Sequence, residues 1–307
     1  MKSVKEITNY YRKNLRTPLL ELEAERKDLK SRVNTLFMIE AIVLVVLFFI
    51  SLQIIEDGTV FSIFLLVFGL VVAYGLTKRQ LTKKYVESFK INIVTPLISF
   101  IDKNLHYRKD KYVNKETFLA SKIETEKIES YHGDDFIYGN IDGVNIKLSE
   151  LTVMVKHNDE SDLALWGLFI VAEFPKHFKY HTIIYSKKGR LTAPKMQKNY
   201  ESIKMDSPEF IDKFTVYATD QIEARYILSH TLMERLIEYH KAMSYPMTVS
   251  FCGGNIYIAT NCGEVLEPSL QKSLLDSSIA QSYAHSLHFA VSVVEALKLD
   301  LKLWSKY

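Results

Sequence analysis

The feature that most constrains this chain is a double apolar block near its N-terminus. The first arm, residues 36–55, is 20 residues long and has one charged side chain, Glu40. The second arm, residues 60–76, is 17 residues long and has none. A membrane-spanning helix needs about 20 predominantly apolar residues. The sequence therefore predicts a transmembrane helical hairpin over residues 36–76.

Basic residues on the flanks of this hairpin predict its orientation. Residues 1–35 contain nine Lys and Arg, whereas the turn at 56–59 contains none. Lys and Arg are retained on the cytoplasmic side of a membrane, so we expect both termini in the cytoplasm. The apolar block starts too far from the N-terminus for a cleaved signal peptide, so we expect a retained anchor. The basic residues closest after the second arm are Lys78, Arg79, Lys83 and Lys84.

The basic stretch at 78–115 has ten Lys and Arg against three acidic residues. Each basic residue near an anionic leaflet can gain about 1 kcal/mol. Two interpretations remain open: functional contact with anionic lipid through the four residues above, or topology determination and solvation. Nucleic-acid binding is not expected, because the stretch has neither an aromatic platform nor a recognised fold signature.

Helices are predicted on the cytoplasmic side of both arms. A helix starting at Thr17-Pro18 has apolar residues at a 3-4 spacing, interrupted only by Arg26. A second helix, 78–95, has its own apolar side. The two could form a coiled coil that sets an oligomeric state or could pack within one chain. The apolar positions are Leu19, Leu22, Leu29, Val33 and Leu36 on the first helix, and Leu81, Tyr85, Phe89 and Ile93 on the second.

The remainder predicts one α+β domain, a mainly antiparallel sheet packed with helices. A helix is expected at 114–130 and an antiparallel meander after it, with a tight turn at Asp142-Gly143. The meander strands are 136–140, 144–155, 163–174 and 182–185. Further along we expect a helix at 209–214, a strand at 215–218, helix N-caps at Asp220 and Thr231, a hairpin at 247–261 and a helix at 276–303. The domains are then 1–35, 36–76, 77–130 and 131–307.

The two cysteines are expected to be reduced. In the predicted hairpin with its turn at Gly253-Gly254-Asn255, Cys252 lies beside the turn and Cys262 at the open end, roughly 20 Å away at about 3.3 Å per residue. A disulfide requires Cα atoms within about 7 Å.

Sequence motifs assign no catalytic residue, no metal and no cofactor. Nucleophile elbows, phosphate-binding glycine loops, H-E-x-x-H and C-x-x-C motifs do not occur. The weak ligand candidates are Arg225, which could bind an anion or form a structural ion pair, and His285 with His288 on the last helix. His177 and His181, around the connection after Phe174-Pro175, are weak candidates for pH sensing.

Three residues in the apolar arms are irregular. Glu40 is an ionisable side chain in a predicted span, which suggests either a pairing or transport role or an interfacial residue. Gly69 and Ala73 form a small-xxx-small step that favours close helix packing, within the hairpin or between chains.

The order of these features resembles a known bacterial family. A two-span hairpin and a basic helical segment are followed by Asp142-Gly143, Ser149-Glu150, residues 166–169, residues 207–210 and the block 220–235. This pattern resembles membrane proteins catalogued as a domain of unknown function, sometimes labelled galanin-like. The resemblance implies a multi-pass bacterial inner-membrane protein and brings no established activity.

Together these features favour a membrane-anchored interaction or scaffolding module with an unknown protein partner, and enzymatic activity is not favoured. The alternative is a small-ligand receptor or enzyme with a non-local site. A pore or transport oligomer is the weakest of the three, and homo-oligomerisation stays open.

Overall fold

The computed structural model describes residues 1–54, 59–157, 160–187 and 199–299. The chain divides into two compact units. One, here called the helical unit, comprises Arg12–Val94 and Glu267–Ser277, and the other, the sheet unit, comprises Met1–Tyr11, Thr95–Leu266 and the segment from Ser278 onward. The helices are α1 Val4–Lys13, α2 Arg16–Ile54, α3 Thr59–Phe89, α4 Thr95–Ile101, α5 Lys115–Ala120, α6 Pro208–Lys213, α7 Gln221–Ile227, α8 His230–Met243 and α9 Ser278–Leu299. The strands are β1 Leu105–Arg108, β2 Lys127–Ile141, β3 Val144–His157, β4 Glu160–Ser186, β5 Glu201–Ile203, β6 Phe214–Ala218 and β7 Met247–Thr260.

The helical unit is built from α2 and α3, which contact each other, and a π-helical turn, Lys90–Val94, that follows α3. The rings of Phe37 and Tyr74 meet edge to face with centroids 5.1 Å apart. Seven of the nine apolar positions predicted on the two helices are buried here, so their packing is satisfied within one chain, whereas Leu36 is 38% exposed and Leu81 is half-buried. The seven buried positions are Leu19, Leu22, Leu29, Val33, Tyr85, Phe89 and Ile93.

Arg26, the charged exception in that apolar series, is buried with a partner one turn before it. Its guanidinium donates two hydrogen bonds to Glu23, at 2.9 and 2.7 Å, and one to the Leu270 carbonyl at 2.6 Å. Glu23 also accepts from the Leu274 backbone N–H at 3.0 Å. The hydrogen bonds from Arg26 hold the pKa of Glu23 at about 2. Arg26 and Glu23 therefore hold the segment 267–277 against α2.

One helical segment among the described residues, Arg16–Phe49, is long and apolar enough to cross a membrane by length and composition. The most apolar 18-residue stretch of this helix has a mean hydropathy of 2.1, and 6% of that stretch is buried. The structure continues the second arm as helix α3, but side chains at 59–66 and at 70 lie outside the described residues. The second span stays a prediction, as does the turn at 56–59, because residues 55–58 lie outside the described residues.

The described part of the sheet unit contains a seven-stranded antiparallel sheet in the order β1-β2-β3-β4-β6-β5, with β7 pairing β4. Strand β4 is 27 residues long. Its first half lies between β3 and β7, and its second half between β6 and β7. Helix α9 contacts β3, β4 and α8. A core cluster that includes Phe118 of α5, Phe169 of β4 and Tyr257 of β7 lies against the sheet.

Long strands correct three sequence predictions. The third and fourth meander strands are one continuous strand, β4, and the predicted hairpin at 247–261 is one continuous strand, β7, paired with β4. Gly253 has a φ of +61°, but it lies opposite Phe178 at an irregularity in the β4–β7 ladder and not in a hairpin turn. The predicted helix 114–130 ends at Ala120, because its C-terminal part pairs as β2.

Most local signals in the sequence agree with the structure, and one N-cap does not. Asp142 and Gly143 both have positive φ and form the β2–β3 turn. Ser207 and Asp220 cap α6 and α7 by accepting from backbone N–H groups three residues on. The cap of α8 is Ser229 and not Thr231 as predicted, since Ser229 accepts from the Leu232 N–H. Cys252 and Cys262 are free thiols.

Candidate functional site: a polar cavity beside β4 and β7

A cavity of about 700 Å³ opens in the sheet unit where β4 and β7 lose their regular register. Here it is called the His181 cavity. Ligand pockets of small molecules commonly fall in the range of about 300–1,000 Å³. Its lining residues come from the connection after α5, from β4, from the start of the β5 segment and from β7. The polar lining residues include Lys122, Glu124, His177, Lys179, His181, Tyr200, Thr219 and Cys252.

Backbone irregularity in β4 produces this opening. The β4–β7 register shifts between Glu173 and Phe178 and again between Phe178 and Thr182. Extra residues of this kind bend a strand and redirect its side chains. Gly253, opposite Phe178, has a left-handed φ, and a Cβ there would meet the His177 ring at 3.6 Å. The irregular segment 174–181 thus brings both histidines to the cavity.

His181 is held from both ends of its ring. Its Nε2 lies 2.8 Å from the Ser250 hydroxyl, and its Nδ1 is hydrogen-bonded to the Tyr200 hydroxyl. The backbone N–H of His181 donates to the Thr219 hydroxyl at 3.0 Å. Burial, followed by the nearby positive charge of Lys122, lowers the pKa of His181 to about 4. His181 is therefore a neutral, positioned wall residue at physiological pH, and neither ring nitrogen is left to act as a general base.

Among the described lining residues of the cavity, two amines outnumber one carboxylate. Lys122 and Lys179 are exposed lining residues, and the Lys179 ammonium lies 5.2 Å from the centroid of the Tyr180 ring. The acidic lining residue, Glu124, directs one carboxylate oxygen to the backbone N–H groups of Thr125 and Glu126, at 2.7 and 2.9 Å. Two amines around aromatic and hydroxyl groups form a site that attracts an anion.

Helix α7 supports the cavity wall from outside. The Glu223 carboxylate accepts hydrogen bonds from the backbone N–H groups of Lys179 and Tyr180, at 3.2 and 3.0 Å. Burial raises the pKa of Glu223. Glu223 therefore fixes the β4 segment that carries Lys179.

The ligand candidates chosen from sequence do not line this cavity. Arg225 is exposed on α7 and donates to the Lys204 carbonyl at 3.1 Å. On α9, His288 Nε2 lies 2.7 Å from the Lys2 carbonyl oxygen. Burial, and then the nearby charge of His288, lowers the pKa of His285. His177 and His181 were noted from their positions around Phe174-Pro175, whereas Lys122, Lys179 and Tyr200 carried no local signal.

Two of the irregular residues of the apolar arms, Glu40 and Gly69, each lie against the other helix of the α2–α3 pair. Glu40 accepts a hydrogen bond from the Thr77 hydroxyl. Gly69 faces Leu44, since a Cβ added to the glycine would lie 3.5 Å from a Leu44 methyl group. Ala73 is half-buried on the same helix. Roles for these three residues stay predictions.

Residues 164–299 match the family model described as "Protein of unknown function (DUF3137)". This agrees with the resemblance to a family of unknown function. No curated protein matches the chain. One similar solved structure is that of the mycobacterial trehalose monomycolate transport factor A, TtfA, at 11% identity. The similarity covers 60% of this chain and 88% of that chain with a TM-score of 0.33, too low to indicate a shared fold.

Proposed function

We propose that this chain is a membrane-anchored receptor that binds a small organic anion in the His181 cavity. The observation that carries the proposal is that Lys122 and Lys179 both line a cavity of about 700 Å³ in which His181 is held neutral. Neutral His181 and Tyr200 shape the wall, and the two amines supply the attraction. The site contains no activated nucleophile among its described residues, which favours binding over catalysis.

Exposed apolar surface supports the anchor. Helix α2 exposes Met38, Ile42, Val46 and Phe49, and the described part of α3 exposes Val67, Phe68, Val71 and Leu76. A continuous apolar surface of this size is unfavourable in water, and a bilayer would cover it. We propose two spans in a bacterial inner membrane with both termini in the cytoplasm. Lys78, Arg79, Lys83 and Lys84 are all exposed just after this surface, where anionic lipid headgroups would contact them.

Ligand binding is tested on the full chain in detergent by thermal unfolding with anionic and neutral metabolites of matched size. A ligand at 100 times its Kd stabilises a protein by about 2.7 kcal/mol, which raises Tm by roughly 5 °C or more. We expect anionic compounds to produce this shift in the wild type and to lose it in the Lys122→Gln/Lys179→Gln variant.

The matched control is Lys103→Gln/Lys147→Gln, which removes two exposed amines outside the cavity lining. It should retain the full shift. Equal stabilisation by neutral compounds, or no stabilisation by any anion, would overturn the proposal.

Topology has a separate test. A periplasm-active reporter inserted after Asp57 should be active, and the same reporter fused at the C-terminus should be inactive. An active C-terminal fusion would overturn the orientation, and an inactive reporter at Asp57 would overturn the second span.

Helix α7 favours protein interaction as a second candidate function. Ile222 and Tyr226 are 67% and 48% exposed and lie one helical turn apart in the block that carries the family resemblance. In-cell cross-linking from position 226 should recover a protein partner, and Ile222→Glu should abolish that product. Recovery of no partner above background would overturn this second candidate and leave the receptor as the one proposed function.

A further inference from the structure

A second cluster of ionisable groups, separate from the His181 cavity, lies between β2 and β3. One carboxylate oxygen from each of Asp134, Asp135 and Glu150 lies within 4.8 Å of the other two. Asp135 and Glu150 are buried, with 0% and 4% of their surface exposed, and Asp134 is half-buried. Asp134 therefore marks the side of the cluster that solvent reaches.

An irregularity in β2 brings two consecutive aspartates to one place. Successive side chains of a regular strand point to opposite faces. The β2–β3 register pairs Asp134 with Glu150 and then shifts before Ile137. Asp135 lies in this shift with a φ of +56°, a conformation that is uncommon for residues other than glycine. The adjacent Gly133 allows the close approach of the strands, since a Cβ there would lie 2.5 Å from the Glu150 carbonyl oxygen.

Hydrogen bonds hold one end of the cluster and leave one oxygen for a ligand. Glu150 Oε1 accepts from the Val265 and Leu266 N–H groups at 2.8 and 2.6 Å and from the Tyr283 hydroxyl at 3.0 Å. The other oxygen, Oε2, is buried and has no hydrogen-bond partner among the described residues. A buried carboxylate oxygen without a partner is costly unless a proton or a metal ion occupies it.

We propose that Asp134, Asp135 and Glu150 bind a hard divalent cation of the Ca²⁺, Mg²⁺ or Mn²⁺ class. Such ions take carboxylate oxygens at about 2.0–2.6 Å, so an ion between two oxygens separates them by about 4–5 Å. The three carboxylates meet this spacing, and Glu150 Oε2 is the buried acceptor that the described residues leave without a hydrogen bond. This proposal replaces the expectation from sequence that the chain binds no metal, and it does not depend on the cavity.

The test is terbium luminescence on the full chain in detergent. Tyr107 donates a hydrogen bond to Asp135 and Tyr283 donates one to Glu150, so both phenols are close enough to transfer excitation energy to Tb³⁺. Excitation of tyrosine should produce terbium emission that Ca²⁺, Mg²⁺ or Mn²⁺ displaces. Asp134→Asn and Glu150→Gln should each weaken binding by tenfold or more.

Glu116→Gln, an exposed carboxylate on α5, is the matched control and should retain wild-type emission. If Glu150→Gln does not fold, Asp134→Asn carries the test, because Asp134 is half-buried. Absence of displaceable emission in the wild type, or its persistence in both cluster variants, would overturn the proposal. A cavity variant, Lys122→Gln/Lys179→Gln, should bind terbium as the wild type does, which separates this result from the receptor proposal.

Discussion

Ser250 fixes the tautomer of His181. The single hydroxyl proton of Ser250 is donated to the Ser121 carbonyl at 2.5 Å, so the Ser250 oxygen must accept from His181 Nε2 at 2.8 Å. With the ring neutral, Nδ1 is an acceptor and the Tyr200 hydroxyl donates to it. The chain of hydrogen bonds from Tyr200 to Ser121 has one direction, and protonation of His181 would break it.

The first prediction concerns acid stability. His181 has a folded-state pKa of about 4, below its ordinary value of 6.5. As pH falls, His181 binds a proton in the unfolded chain before it does so in the folded chain. The stability that this pKa difference contributes is therefore complete above about pH 6.5 and is lost as pH falls toward 4. A shift of this size corresponds to about 3 kcal/mol. Urea unfolding of the full chain between pH 7 and 4 should show the loss, and His181→Gln should reduce it. An unchanged pH slope in the variant would contradict this prediction.

Gly167 tests close packing between β4 and β7. It has a φ of +148°, and an added Cβ would lie 2.3 Å from the Thr260 carbonyl oxygen. We expect Gly167→Ala to reduce the free energy of unfolding by about 2 kcal/mol or more. Gly254→Ala is the control, since its nearest atom would be 4.0 Å away. Thermal unfolding compares them, and equal Tm values would show that the strands can separate at no cost.

The Arg26–Glu23 pair should be coupled strongly because it is buried. Arg26→Ala leaves the Glu23 carboxylate buried without its partner, which costs about 3–5 kcal/mol. Arg32→Ala breaks an exposed pair with Asp28, one turn along α2, and should cost less than about 1 kcal/mol. A double-mutant cycle on Glu23 and Arg26, measured by urea unfolding in detergent, gives the coupling. A coupling as small as that of Asp28 with Arg32 would refute the buried role.

Cysteine reactivity should differ between the two thiols. Burial raises the pKa of Cys262 to about 12, which leaves little thiolate at neutral pH, whereas Cys252 lines the cavity. Iodoacetamide at pH 8, followed by mass spectrometry, should modify Cys252 at least tenfold faster. An anion that binds in the cavity should slow this modification and leave Cys262 unchanged. Faster labelling of Cys262 would contradict the assignment.

Predictions from sequence succeeded where a few neighbouring residues decide the structure. The caps at Ser207 and Asp220 and the turn at Asp142-Gly143 depend on contacts within four residues. Gly253-Gly254 is an equally local turn signal, but pairing with β4 along the whole of β7 overrides it.

The sites could not be predicted because their residues are distant in sequence. The Ser250–Ser121 hydrogen bond joins positions 129 residues apart, and that from Tyr283 to Glu150 joins positions 133 apart. Arg26 also has a partner that is distant in sequence, although Arg26 itself lies in a helix that the sequence predicted. The pattern marked it as an exception, but its partner Leu270, and the Leu274 N–H that donates to Glu23, could not be deduced from α2 alone.

The position of β4 in the sheet determines when this protein can finish folding during synthesis. Its first half pairs with β3, which is made just before it, but its other neighbour, β7, ends at Thr260. At roughly 5–20 residues per second, the edge of β4 waits several seconds on the ribosome without its partner. The apolar arms emerge much earlier. In the proposed membrane-anchored protein, a nascent chain held at the bilayer by these arms keeps that open edge away from other chains until β7 is translated.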